Sequence, residues 1–181
     1  MDRITIPRNT LVLLVGPAGC GKSSFAARHF WPTQIVSSDH CRAVICDDPA
    51  NQNVTPLAFD LMHSIIEMRL RLGRLTIADA TSLKREDRRP LVRLARRARF
   101  NSAAIVFNLP LEVCLARNQR RQRVVPDDAI AAQHELLLET LPMISREGFG
   151  YVWVLDEVAA SNVSVKVTRW TNRRPVLPAR S

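Results

Sequence analysis

The sequence predicts an α/β fold in which a parallel β-sheet is flanked by helices on both faces. Three observations predict it: short runs that are apolar throughout, amphipathic stretches alternating with those runs, and a glycine-rich turn joining the first run to a helix. Strands that are apolar on both sides need cover on both sides, and parallel neighbours need helical crossovers to connect them.

Leu11–Val15 is the first such run, and helix-like residues Lys22–Phe30 follow its turn. Gln34–Ser37 is a second short strand candidate. Asn51–Thr55 is loop-like, and Leu57–Leu72 has helical periodicity ending at Gly73, a residue suited to the position just past a helix. Leu75–Asp79 reads as a strand, Lys84–Arg99 as an amphipathic helix, and Ala103–Phe107 as a buried strand closed by Asn108–Pro110. Leu111–Gln122 and Asp127–Arg146 are helical, and Tyr151–Leu155 is the last clear strand. From Val158 the reading is open, because Val163, Val165 and Val167 alternate like a strand at a spacing short helices also show. Pro175 and Pro178 indicate a loose tail. The expected organisation is one domain over residues 1–157, with a lid at about 117–126, and a C-terminal extension over residues 158–181.

The 181 residues suit one domain, and 46% apolar content is enough for a core. No apolar run reaches the length of a membrane span, and Leu11–Val15 is too short for a signal-peptide core, so a cytoplasmic protein with no membrane partner is expected. Cys20, Cys41, Cys46 and Cys114 lack paired spacing, which argues against a disulfide framework or a zinc site. Lys and Arg outnumber Asp and Glu by 26 to 17, for a net charge of +9, which favours polyanionic partners. Arginine dominates the cations, since only Lys22, Lys84 and Lys166 are lysines.

Gly16, Pro17, Ala18, Gly19, Cys20, Gly21, Lys22 and Ser23 satisfy GxxxxGK(S/T) directly after a strand and at the start of a helix. In that context main-chain N–H groups turn inward toward phosphate oxygens, and the helix N-terminus adds positive potential. Lys22 is positioned for the β- and γ-phosphates of a nucleoside triphosphate, the Ser23 hydroxyl for Mg²⁺ or Mn²⁺, and Ser24 closes the loop. ATP is the expected phosphate donor. No guanine-reading NKxD motif is visible.

Asp39 and Arg42 follow the second strand, at the end of the sheet where ligands gather. Asp39 has two readings: a base that takes a proton from an attacking hydroxyl, or a cap on the next helix. Arg42 is either a phosphate-binding fork or a solvated residue. Asp79 ends a strand, where it could orient Mg²⁺-bound water or cap a helix.

Six blocks occur in one order: Gly16–Ser24, Ser37–Arg42, Val54–His63, Leu75–Thr81, Val106–Pro110 and Arg117–Asn118. Together, from about Ile4 to Leu155, they resemble the kinase domain of bacterial polynucleotide kinase-phosphatase. The resemblance implies a P-loop kinase fold with a helical, arginine-bearing lid, and ATP-dependent phosphorylation of the 5′-OH end of RNA or DNA in end healing. It implies that Asp39 is the general base, that Arg42 contacts the substrate phosphate, and that Gln52 lies in the loop that reaches the nucleic acid end. Lys22 and Ser23 match the phosphate-binding lysine and the magnesium-binding serine, and Arg117 matches the lid arginine that clamps the ATP phosphates. Those relatives join their kinase to a metallophosphatase and a ligase-like domain.

Arg117, Arg120, Arg121 and Arg123 lie within seven residues. Such a run is a phosphate-clamping lid or a solvated helix end. Arg117 and Arg123 are the expected ATP contacts, and the choice between Arg120 and Arg121 is open. Arg85, Arg89, Arg93 and Arg96 share one helix face, read as solvated in preference to a nucleic-acid track. Asp60 and His63 are read as a buried hydrogen-bonded pair, and Trp31, Trp153 and Trp170 as packing residues. Two alternatives stand beside the polynucleotide kinase: a small-metabolite kinase, and a non-catalytic module that binds nucleic acid ends. Oligomeric state is open, a homodimer included.

Overall fold

A computed structural model describes residues 3–169 of the chain. Five parallel strands form the sheet: β2 (Thr10–Val15), β3 (Ile35–Ser37), β4 (Thr76–Asp79), β5 (Asn101–Phe107) and β6 (Tyr151–Leu155), in the order β3-β4-β2-β5-β6. The central strand β2 is buried at every residue. Successive side chains alternate between faces, so Leu11, Leu13 and Val15 join one core while Val12 and Leu14 join the other.

The first core is roofed by α3 (Thr55–Arg71) and α4 (Arg85–Arg97), which bring Met62, Ile66, Leu70, Leu91 and Ala95 onto it. The second lies under α1 (Lys22–His29) and α5 (Leu111–Asn118), through Phe25, Ala26 and Cys114. Phe25 meets Phe107 edge to face at 5.3 Å. The remaining helices are α2 (Ser38–Cys46), α6 (Asp127–Thr140) and α7 (Glu157–Asn162). The parallel sheet covered on both faces is the architecture the sequence predicts.

Three segments differ from expectation. β1 (Arg3–Pro7) had no sequence signal, and it pairs in parallel with β7 (Ser164–Thr168). The open reading after Val158 thus resolves into the end of α7 and a strand, with Ala160 and Val163 in the core. Trp170, Pro175 and Pro178 lie outside the described residues. The helix expected over Leu111–Gln122 stops at Asn118, where the Asn118 side chain turns back to bond both Val125 N–H and Val125 C=O. Of the four lid arginines, only Arg117 is helical; the other three occupy a connection between α5 and α6. The helix expected to reach Arg146 breaks after Thr140, with a short 3₁₀ turn over Ile144–Arg146.

Two further readings are corrected. Asp60 and His63 are not a buried hydrogen-bonded pair: Asp60 is exposed, and the buried His63 Nε2 has no partner among the described residues. Trp31 is 74% exposed, because the short turn that follows it carries it clear of the core.

Candidate active site

The register of the sheet places the site. Asp79, at the end of β4, is opposite Leu14 of β2 and Ser37 of β3. The C-terminal ends of these three strands therefore stand side by side, and the segments leaving them supply the functional groups. Gly16–Gly21 leaves β2, Ser38–Arg42 leaves β3 and Ala80–Leu83 leaves β4.

The glycine loop is tightly fitted. Gly19 has φ 78°, and a Cβ there would stand 2.2 Å from the Cys114 carbonyl oxygen, so only glycine lets the loop lie against α5. Gly16 N–H donates to Thr81 C=O at 3.0 Å, tying the loop to the segment after β4. Ala18 N–H donates to Gln133 Oε1 of α6 at 2.8 Å. Lys22 is only 8% exposed, and its Nζ donates to the carbonyl oxygens of Gly16 at 2.8 Å and Pro17 at 2.7 Å. A buried ammonium with carbonyl partners at a loop rim can exchange those oxygens for phosphate oxygens at little desolvation cost. Burial and the neighbouring Cys20 push the Cys114 thiol up to about 11, so this cysteine packs as a neutral side chain.

Ser23, exposed on the first turn of α1, lies near Asp79 at the mouth of the loop, close enough for its hydroxyl to favour the charged Asp79 carboxylate. Asp79 is 6% exposed, and burial pushes its carboxyl above the usual range. The nearby Ser23 hydroxyl and the positive charges of Lys22 and Arg121 oppose that rise, while the negative charge of Asp39 adds to it. These influences place Lys22, Ser23, Asp39, Asp79 and Arg121 around one electrostatic centre. A hydroxyl and a carboxylate side by side are the hard oxygen donors that Mg²⁺ takes, with phosphate oxygens and water completing its shell. The residues present therefore fit a magnesium ion.

Asp39 lies in the first turn of α2, with Ser37 rather than Asp39 as the N-cap: Ser37 Oγ accepts from His40 N–H at 3.4 Å. Freed from capping, the half-exposed Asp39 carboxylate takes two guanidinium groups. Arg42 Nη2 donates to Oδ1 and Arg123 Nη1 donates to Oδ2, the latter at 3.3 Å. Both arginines also converge on the Pro49 carbonyl oxygen, Arg42 Nε at 2.9 Å and Arg123 Nη1 at 3.0 Å. Arg42 is buried, not solvated.

Arg117 Nη2 donates to Glu157 Oε1 at 3.0 Å, and Nη1 lies 3.5 Å from the point where a Cβ on Gly21 would stand. The remaining positions are more dispersed. Gln52 is exposed and bonds only within its own loop, to Ala50 C=O and Thr55 Oγ1. Ser24 is exposed on the first turn of α1. Arg123, for which the sequence suggests an ATP contact, pairs with Asp39 and the Pro49 carbonyl oxygen. Of the open pair, Arg121 is the residue whose charge acts on Asp79.

Three contributors had weak signals or none. Asp79 was visible only as a strand-end acid with two roles. Gln133 and Glu157 have no motif around them and reach the site by the packing of α6 and the start of α7.

The AAA domain family model matches residues 11–142. The chain belongs to this family. None of the curated proteins matches it. Among solved structures, the chain is similar to one from the Pnkp1/Rnl/Hen1 RNA repair complex, at 22% identity and a TM-score of 0.64, covering 78% of this chain and 47% of that one. It thus spans about half the length of that relative. It is also similar to a gluconokinase from Sinorhizobium meliloti 1021, at 18% identity and a TM-score of 0.52, covering 83% of each chain. The APS kinase of Mycobacterium tuberculosis, in complex with AMPPNP and APS, matches at 15% identity and a TM-score of 0.53, covering 83% of this chain and 90% of that one. These likenesses give the AAA domain chain a kinase-type P-loop fold, the fold the resemblance implies. No helix among the described residues is long and apolar enough to cross a membrane.

Proposed function

We propose that this protein transfers the γ-phosphate of ATP to the 5′-OH end of a nucleic acid. The observation that carries the reading is the convergence of Arg42 and Arg123 on Asp39, beside the loop that holds Lys22. An acceptor that carries an alcohol close to a phosphate diester matches such a pocket: the carboxylate faces the hydroxyl and the two guanidinium groups face the diester. A neutral sugar offers no anion to the two guanidinium groups.

In this reading the triphosphate lies along Gly16–Ser24, and Lys22 exchanges its carbonyl partners for the β- and γ-phosphates. Ser23 and Asp79 would hold a Mg²⁺ ion, which would neutralise phosphate charge when bound. Asp39 accepts the proton of the 5′-OH as that oxygen bonds to the γ-phosphorus and the bond to the β-phosphate oxygen breaks, releasing ADP. In-line attack inverts the configuration at phosphorus. Arg117 leaves Glu157 for the transferring phosphoryl group, and Arg121 adds a second lid charge. Arg123 is assigned to the acceptor, and Gln52 stays a candidate for the nucleic acid end through its loop.

The likeness to the gluconokinase and the APS kinase favours a second reading, a small-metabolite kinase. One panel separates the two: γ-labelled ATP with Mg²⁺ and, separately, a 5′-OH RNA, a 5′-OH DNA, gluconate and shikimate. Label on an oligonucleotide end supports the proposal, and label confined to a metabolite overturns it. Binding of 5′-OH ends with no transfer to any acceptor would leave the non-catalytic reading.

A further inference from the structure

Helix α4 carries an arginine cluster that the site does not use. Arg85, Arg89, Arg93 and Arg96 line a concavity of about 300 Å³ together with Val92 and Glu147. All four arginines are exposed, and none of their side chains makes a hydrogen bond or ion pair with another described residue. Their neighbours behave differently: Arg88 is bonded to both oxygens of Glu147, and Arg97 lies 3.9 Å from Glu67. The one acid in the concavity is therefore already engaged. Like charges three and four residues apart on a helix repel, and here none of the four is in an ion pair with an acid among the described residues.

We infer that this concavity binds the phosphodiester backbone of a single nucleic acid strand. From Arg85 to Arg96 the helix rises about 16 Å, comparable to the axial rise of about five phosphates along one strand. A free nucleotide needs one or two guanidinium groups, whereas a row of forks fits a polymer of phosphates. A membrane surface is the poorer match, because none of the exposed large apolar side chains belongs to α4.

The row also has a connection to the site. Arg88 Nη1 donates to the carbonyl oxygens of Ser82 and Leu83, and Thr81 C=O accepts from Gly16 N–H. The N-terminal end of the row is thus fixed to the segment that abuts the phosphate loop. The path from the acceptor pocket onto the row rests on the function proposed above; backbone binding itself does not.

The test is fluorescence anisotropy with a labelled single-stranded 5′-OH RNA of about 20 nucleotides, across about 50–200 mM salt, for wild type and Arg89→Gln/Arg93→Gln. Both residues are exposed, and matched melting curves check that the variant folds. Two lost phosphate contacts should lower the slope of log K against log salt by about 1.4 and weaken binding on the order of tenfold. Phosphorylation of a dinucleotide acceptor should be unchanged while KM for the long strand rises. Equal Kd and equal slope in the two proteins would overturn the inference, as would a loss of binding to phosphatidylserine vesicles with RNA binding intact. A wild type that binds RNA through the row but labels no end sinks the kinase proposal alone. Labelling with no difference between the proteins in Kd, slope or KM sinks the row alone.

Discussion

Arg117 and Glu157 form an ion pair at 3.0 Å, with the Arg117 guanidinium beside Gly21 at the start of the phosphate-loop helix. Both side chains are about half exposed, so the pair contributes between zero and about 1 kcal/mol to stability. In the proposed cycle Glu157 holds Arg117 next to the ATP phosphates and competes with them. Glu157→Gln should therefore lower KM for ATP by about two- to fivefold, the range that a pair of this strength allows, with little change in melting temperature. Arg117→Ala should reduce kcat on the order of 10³-fold. Steady-state kinetics at saturating acceptor checks both.

Asp79 ties stability to function with opposite signs. Burial raises its folded carboxyl above the unfolded value, so the folded state holds this proton longer as pH rises. Its contribution is favourable below the ordinary carboxylate range and is lost as pH climbs through the raised value. Asp79→Asn removes the buried charge, so at neutral pH the melting temperature should rise by a few degrees (about 2–4 °C per kcal/mol at this chain length). Phosphoryl transfer should fall sharply as the proposed magnesium ligand is lost. Calorimetry and a Mg²⁺ titration of the rate report the two halves.

The buried Arg88–Glu147 pair predicts a large single-site penalty. Arg88 is 1% exposed and satisfies Glu147 and the Ser82 and Leu83 carbonyls at once. Glu147→Gln leaves that guanidinium short of its counter-charge and should cost about 3–5 kcal/mol, read by urea unfolding. Arg88→Met/Glu147→Leu should cost less than the sum of the two single changes.

His63 gives an acid-side signature. Burial lowers its folded value against the opposing charges of Asp60 and Asp87. Its contribution is present above the unfolded histidine value and is lost as pH falls through the lowered one. Between pH 7 and 5, His63→Leu should flatten the decline in melting temperature; a slope identical to wild type would refute the assignment. His29, lowered by burial and by Arg28, keeps a residual slope in the variant.

The sheet was legible because Leu11–Val15 and Ala103–Phe107 are apolar on both faces, and no other environment suits such runs. The phosphate loop was legible because glycine spacing, lysine and helix start coincide within a few residues. β1 was not, since only Ile4 and Ile6 of its five residues give an apolar alternation, too short to stand out, and its partner β7 lies far along the chain. Helix α5 ends early because Asn118 bonds to Val125 across the turn, a contact that periodicity does not encode. Spacing suggests an ATP contact for Arg123, whereas its pairing with Asp39 and Pro49 depends on how those residues approach through the fold.

The central claim is tested most directly by end-labelling a 5′-OH RNA with γ-labelled ATP, using wild type and Asp39→Asn side by side, with ATP binding measured on both. The account predicts that wild type labels the end, that the variant loses rate on the order of 10²–10⁴-fold, and that both bind ATP equally. Equal labelling by the two proteins, or no labelling by folded wild type that binds ATP, would contradict it.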